Sequence, residues 1–228
     1  MELFLTNDDI ESKIKDIKRK IMLSMNGIVS DKMTKSGIKY KKNYGVSIPR
    51  IIEISKSYSP DSQLAQILWA MQIRETMMLS VLIEPINNFN PDLAKKRISE
   101  IKQLDLAEFS SMNLFSKLNF SNELCDFCVF SDELWLQING FMIAARIIEI
   151  FKENEINRIT CRAFELSGTN DFQLCRPIAV YLSKLCRKDK ETANYILNKI
   201  ETFKTSEIPG KQYIFDTVKQ EIVFLNLI

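Results

Sequence analysis

Residues 133–151 read ELWLQINGFMIAARIIEIF, with apolar side chains at nearly every position. No proline interrupts the run, so one buried helix fits it better than a series of buried strands. A helix that is apolar all round must be covered on most sides, which places this one at the centre of an all-helical body. Gln137, Asn139 and Arg146 are the polar residues of its interior. Burying such groups without partners is costly, so they either face a groove or join a hydrogen-bonded network.

Working outward, 228 residues suffice for one large domain or one continuous solenoid, and a single domain over 1–228 is expected. Six Gly and six Pro leave few breakers, which favours long helices and short joints. Thr6-Asn7-Asp8-Asp9 opens a first helix with a capping-box-like start. Ile10, Ile14, Ile17, Ile21 and Met25 give that helix an apolar face, and Asn26-Gly27 ends it. A basic, less regular connector over 30–43 carries Lys32, Lys35, Lys39, Lys41 and Lys42. It runs into Asn43-Tyr44-Gly45-Val46-Ser47-Ile48-Pro49, a turn that delivers Pro49 to the first turn of a helix. Ser59-Pro60-Asp61 and Asn90-Pro91-Asp92 read as two more starts, each with Pro at the first helical position. Helices over 73–83, 93–101 and 104–118 precede the central stretch; units over 155–188 and from 190 onward follow it. Pro177 would free the carbonyl of Gln173, so the helix around it either starts near Cys175 or bends.

Helices of ~10–18 residues recurring every ~30–40 residues are the pattern of helix-pair repeats. The expected fold is all-α, with HEAT-like helix-pair repeats forming a curved α-solenoid (an α-α superhelix) whose concave face is open to a ligand. A compact bundle stays open as the alternative.

Composition excludes several chemistries. With no histidine, the Ser-His triad and the usual general base are absent, leaving carboxylates, Lys, Tyr or Cys for any catalysis. Five cysteines, an odd number, argue against a paired disulfide framework and fit a reducing compartment. Cys125 and Cys128 form a CxxC, but in apolar helix-like sequence and without two further ligands, since Cys161 lies far along the chain. Buried structural cysteines are expected, with no metal and no cofactor. MELFLTND lacks the basic start and long apolar run of a signal peptide, and the longest apolar run stops at Arg146. A cytoplasmic monomer without a membrane span is expected.

Net charge is +2 but unevenly spread. Residues 1–60 hold 12 basic and 7 acidic side chains, whereas 84–133 hold 5 and 9. Basic character returns at Arg176, Lys184, Arg187, Lys188 and Lys190. Such asymmetry reads either as a solvated surface or as a polyanion-binding face.

At NYGVSIPRIIEISK (43–56), followed by LAQILWAMQIRETMMLSVLIE (64–84), the chain resembles the AlkD-like DNA alkylation repair family. Tyr44, Gly45, Val46, Pro49, Leu68, Trp69 and Glu75 match that family's Tyr-Gly-Val-x-x-Pro turn, Leu-Trp pair and following helix. The likeness continues, less sharply, through LDLAEFSSMNLFSKL, ELWLQINGFMIAARI and RPIAVYLSKLCRK. It implies a HEAT-like superhelix cradling duplex DNA and, in active members, a glycosylase that excises alkylated purines without drawing the base into a pocket. A carboxylate helped by tryptophans would stabilise the cationic sugar, and basic side chains would hold the phosphates.

The family's Trp-Asp-x-x-Asp segment falls on Leu104-Asp105-Leu106-Ala107-Glu108, so the Trp is lost and the key Asp becomes Glu108, one methylene longer. Its Trp-x-Arg-Arg segment falls on Trp135-Leu136-Gln137-Ile138, which keeps the Trp and loses both Arg. Its Lys-x-x-x-Trp segment falls on Arg176-Pro177-Ile178-Ala179-Val180, which keeps the cation and loses the aromatic; Tyr181 would point about 100° away. The resemblance thus implies a retained scaffold with a degraded active constellation.

The candidates follow from this. Glu108 is either a catalytic carboxylate or a surface Glu, and Asp105 either a DNA-facing group or a helix cap. Trp135 is either core or a sugar contact, while Gln137 and Asn139 serve either a phosphate or a buried backbone group. Tyr40 and Tyr44 flank Lys41 and Lys42, a mix suited to a nucleic-acid backbone or to turn packing. Arg176, Lys184 and Arg187, spaced by eight and three, share one helix face for phosphates. The expected partner is duplex DNA; the alternative is a protein-interaction solenoid without nucleic-acid activity.

Overall fold

Thirteen α-helices and four short 3-10 turns carry most of the described residues, 8–169 and 171–227 of a computed structural model. No strand occurs among them beyond an isolated bridge between Lys42 and Ile73. In chain order the helices are α1 (Asp8–Leu23), α2 (Gly27–Lys35), α3 (Ile48–Ser55), α4 (Ser62–Ala70), α5 (Arg74–Ile83) and α6 (Pro91–Ser99). They continue as α7 (Leu104–Asn113), α8 (Ser121–Val129), α9 (Leu134–Ile147), α10 (Glu153–Leu166), α11 (Phe172–Cys186), α12 (Lys190–Ile200) and α13 (Pro209–Phe224).

The chain packs as two compact units. The described residues through Asn90 join Gln103–Leu118 in the first, and Pro91–Lys102 joins the residues from Asn119 onward in the second. The first unit is built on α5, which packs against α3, α4 and α7. It can do so because nine of its ten residues are buried, Arg74 and Glu75 among them. The second unit is built on α9, paired with α8 on one side and α11 on the other, and α11 packs in turn on α13. Every residue from Leu136 to Ala145 is buried, as a helix without a polar face requires. Gly140 lets α8 come close: a Cβ there would lie 2.7 Å from the Val129 backbone nitrogen and 2.9 Å from Cys128 Cβ.

Several starts differ from the expectation. Thr6 and Asn7 lie outside the described residues. Ile10, Ile17 and Ile21 are buried on α1, but Met25 lies past its end and is exposed, because Asn26 begins a new helix. The Asn26 side chain accepts from the Val29 amide at 3.1 Å, so the first part of the expected connector is α2, none of whose residues is buried. For α4 the cap is Asp61, accepting from Leu64 at 3.0 Å, and Pro60 stays outside the helix. Pro49 and Pro91 do stand in first turns. Pro177 lies inside α11, which begins earlier than Cys175 because Asp171 caps it through the Gln173 amide at 2.9 Å.

Candidate nucleic-acid interface

The Tyr44–Pro49 turn is held from below by Glu75. This carboxylate is fully buried and accepts from the Tyr44 amide at 3.1–3.2 Å and the Val46 amide at 3.2 Å. Arg74, 2% exposed, donates Nη1 to the Val46 carbonyl at 3.0 Å and to Glu75 at 3.4 Å. Its Nε donates to Asp105 at 2.8 Å, and Asp105 also accepts from the Tyr40 hydroxyl at 2.8 Å. Burial, and then the Asp105 charge, pushes the Tyr40 phenol far above its ordinary range, so it stays a donor. Gln103 completes the node by pairing with the Lys39 backbone, accepting from its N–H at 3.1 Å and donating to its carbonyl at 2.8 Å.

Asp105 does not cap α7, since Gln103 holds the N-cap position, and each of its oxygens accepts one bond within the node. Three residues on, Glu108 is half-buried on the same helix. Tyr44 is half-buried and its ring carries the Lys42 ammonium 4.5 Å from its centroid. The sequence reading passed over Arg74; the signal was a charged pair opening an otherwise apolar helix.

In the second unit Trp135 is half-buried, and its carbonyl accepts from the Asn139 amide at 2.6 Å. Gln137 donates to the Ser131 carbonyl at 2.8 Å, closing the α8–α9 turn. Both side chains are buried and donate to backbone carbonyls. Arg176 and Lys184 are exposed on α11 and Arg187 is exposed just past its end, but Arg187 is bound by Glu221 of α13, with Nε at 2.6 Å. Tyr181 is core: its hydroxyl lies 3.0 Å from that of Thr160 and its ring 5.9 Å from Phe141.

Exposed cations concentrate before the turn. Lys32, Lys35, Lys39 and Lys41 are exposed and make no ion pair among the described residues. Cys125 and Cys128 are buried and unlinked; burial raises Cys128 to about 12 and Cys125 well above its usual range. Among the described residues, no group of three or more His, Cys, Asp or Glu could hold a metal, and no helix is long and apolar enough to cross a membrane.

No family model and no curated protein matches the sequence. The fold aligns, at TM-score 0.74 and 12% identity, with a solved structure described as a new family of proteins related to the HEAT-like repeat DNA glycosylases with affinity for branched DNA structures. The alignment covers 82% of this chain and 81% of that one. A second solved structure, of an engineered protein, aligns at TM-score 0.40 and 13% identity over 96% and 95% of the two chains. The chain thus has an all-α fold of paired helices similar to that of proteins related to the HEAT-like repeat DNA glycosylases, as the Tyr44–Pro49 stretch and its following helices led us to expect.

Proposed function

We propose that this protein binds DNA through the unpaired cations of its basic segments and has little or no standard alkylpurine excision activity. The observation that carries the first half is the set of exposed lysines of the first unit without ion-pair partners among the described residues, Lys32, Lys35, Lys39 and Lys41. Such side chains neutralise phosphates and release counterions. Branched DNA, for which affinity is described in the structurally similar family, is the form we expect it to favour. The second half rests on the replaced positions: Leu104 where the family has Trp, Glu108 one methylene longer than its key Asp, and Gln137 and Ile138 where it has Arg. A cationic sugar would have Glu108 as its α7 carboxylate, and Leu104 supplies no aromatic beside it.

The test is incubation with methylated and unmethylated duplex DNA across a salt series, assaying retention and base release together. Four phosphate contacts would give a log-log salt slope of about −3 to −4. Absence of binding at low salt would end the DNA reading. Release of free base at enzymatic rates, abolished in Glu108→Gln, would restore the glycosylase.

A further inference from the structure

A cavity of about 460 Å³ lies within the first unit, between the α1–α2 joint and the Tyr44–Pro49 turn. Its size is that of a small-ligand pocket, about 300–1,000 Å³. Val29 and Met33 of α2 line it together with Val46, Ile48 and Pro49, and Arg74 is the charged lining residue. Arg74 is 2% exposed; its Nε and Nη1 bind Asp105, Val46 and Glu75, while its Nη2 meets no partner among the described residues.

One guanidinium nitrogen, with two N–H donors left over beside aliphatic walls, suits a flat ring with apolar faces and a carbonyl or ring nitrogen on its edge. It does not suit a free phosphate, because two carboxylates already face one guanidinium and the local balance is negative. On the same joint, flanking the lining residues Ser24 and Asn26, the side chains of Met22, Leu23, Met25 and Ile28 are between 58% and 79% exposed. Residues 15–56, which include this joint, carry eleven basic and three acidic side chains. Apolar wedges of Met, Leu and Ile set among cations are a recurring means of prising base steps apart.

We infer that the cavity receives an unpaired nucleobase at a branch point or bulge of DNA. Arg74 hydrogen-bonds the edge of that base, and the α1–α2 apolar side chains cover the neighbouring step. This rests on the DNA-binding reading above and names the feature that such binding selects. A base already unpaired has less stacking to lose on entering, so selectivity arises without enzymatic extrusion. A bilayer would cover the apolar joint but has no ring edge to meet the buried guanidinium.

The experiment compares binding to a duplex carrying one unpaired guanine with the same duplex fully paired, at one salt concentration. Wild-type protein binds the unpaired form about ten-fold more tightly, the scale of one well-held base. Val29→Phe, and independently Met33→Phe, fill the cavity from a helix with no buried residue, so folding is not at issue. Each brings the ratio close to one and leaves the fully paired duplex affinity unchanged. Equal wild-type affinity for both duplexes, or a preference that survives both variants, overturns the pocket and leaves the DNA reading standing. Loss of all DNA binding at low salt overturns both. Preferential binding to phosphatidylserine vesicles over either duplex reassigns the joint to a membrane surface and overturns the inference.

Discussion

Removing the Glu75 carboxylate should loosen the first unit in a graded, locatable way. In Glu75→Gln the remaining oxygen can keep the Val46 amide and the Tyr44 amide, each at 3.2 Å, but the new NH2 then faces the Tyr44 N–H with no acceptor of its own. One buried N–H left unsatisfied costs about 1–3 kcal/mol. In Glu75→Ala both amides and one Arg74 contact are lost, and breaking a buried pair costs about 3–5 kcal/mol. Arg74 keeps Asp105 and the Val46 carbonyl, so the lower end applies, about 3 kcal/mol. Against a total stability of about 5–15 kcal/mol that is a large fraction. Trp69 of α4, 5% exposed and beside α5, reports on this unit, and Trp135→Phe silences the other tryptophan. Denaturant titration by Trp69 fluorescence should order the proteins wild type, Gln, Ala. Amide exchange should accelerate first at Tyr44 and Val46. An alanine variant within about 0.5 kcal/mol of wild type, or a glutamine variant worse than alanine, would refute the account of Glu75 as the strut of the turn.

Gly45→Ala should cost at least about 2 kcal/mol in the same titration: φ there is +69°, and a Cβ would press on the Asn26 carbonyl and Ser30 nitrogen. At pH 8 a thiol reagent should find one fast cysteine, Cys161, with the four buried thiols reacting only on unfolding; fast reaction of Cys125 or Cys128 would contradict their burial. Hydrogen bonds from Lys20, Tyr58 and Arg19 hold the Asp16 carboxyl well below its ordinary value. Its stabilising effect is therefore present above about pH 4 and lost as pH falls below that, so the stability gap to Asp16→Asn should narrow in acid. A gap independent of pH would remove Asp16 from the acid limb.

Much of the fold was readable from local chemistry. The central helix announces itself because residues 136–145 offer no polar face, and Pro49 and Pro91 mark starts that backbone sterics impose. What escaped reading depends on distant partners. Asp105 meets Tyr40 across 65 positions and Arg74 across 31, and Arg187 meets Glu221 across 34; hydrophobic periodicity carries no record of such choices. Helix α2 escaped for the opposite reason: GIVSDKMTK buries nothing, so no apolar stripe signals it, and the Asn26 cap is its clearest mark.

The interleaving of the two units has a consequence for how the protein emerges from the ribosome. The chain leaves the first unit after Asn90, returns at Gln103 and leaves again after Leu118. The nascent first half therefore cannot close its node until α7 has been translated, since Asp105 and Gln103 arrive some sixty residues behind Tyr40 and Lys39. Meanwhile α6 must wait for α8 and α9, against which it packs. Stalling translation near residue 100 should leave an intermediate that chaperones hold, whereas stalling past the return segment should leave the early half resistant to protease.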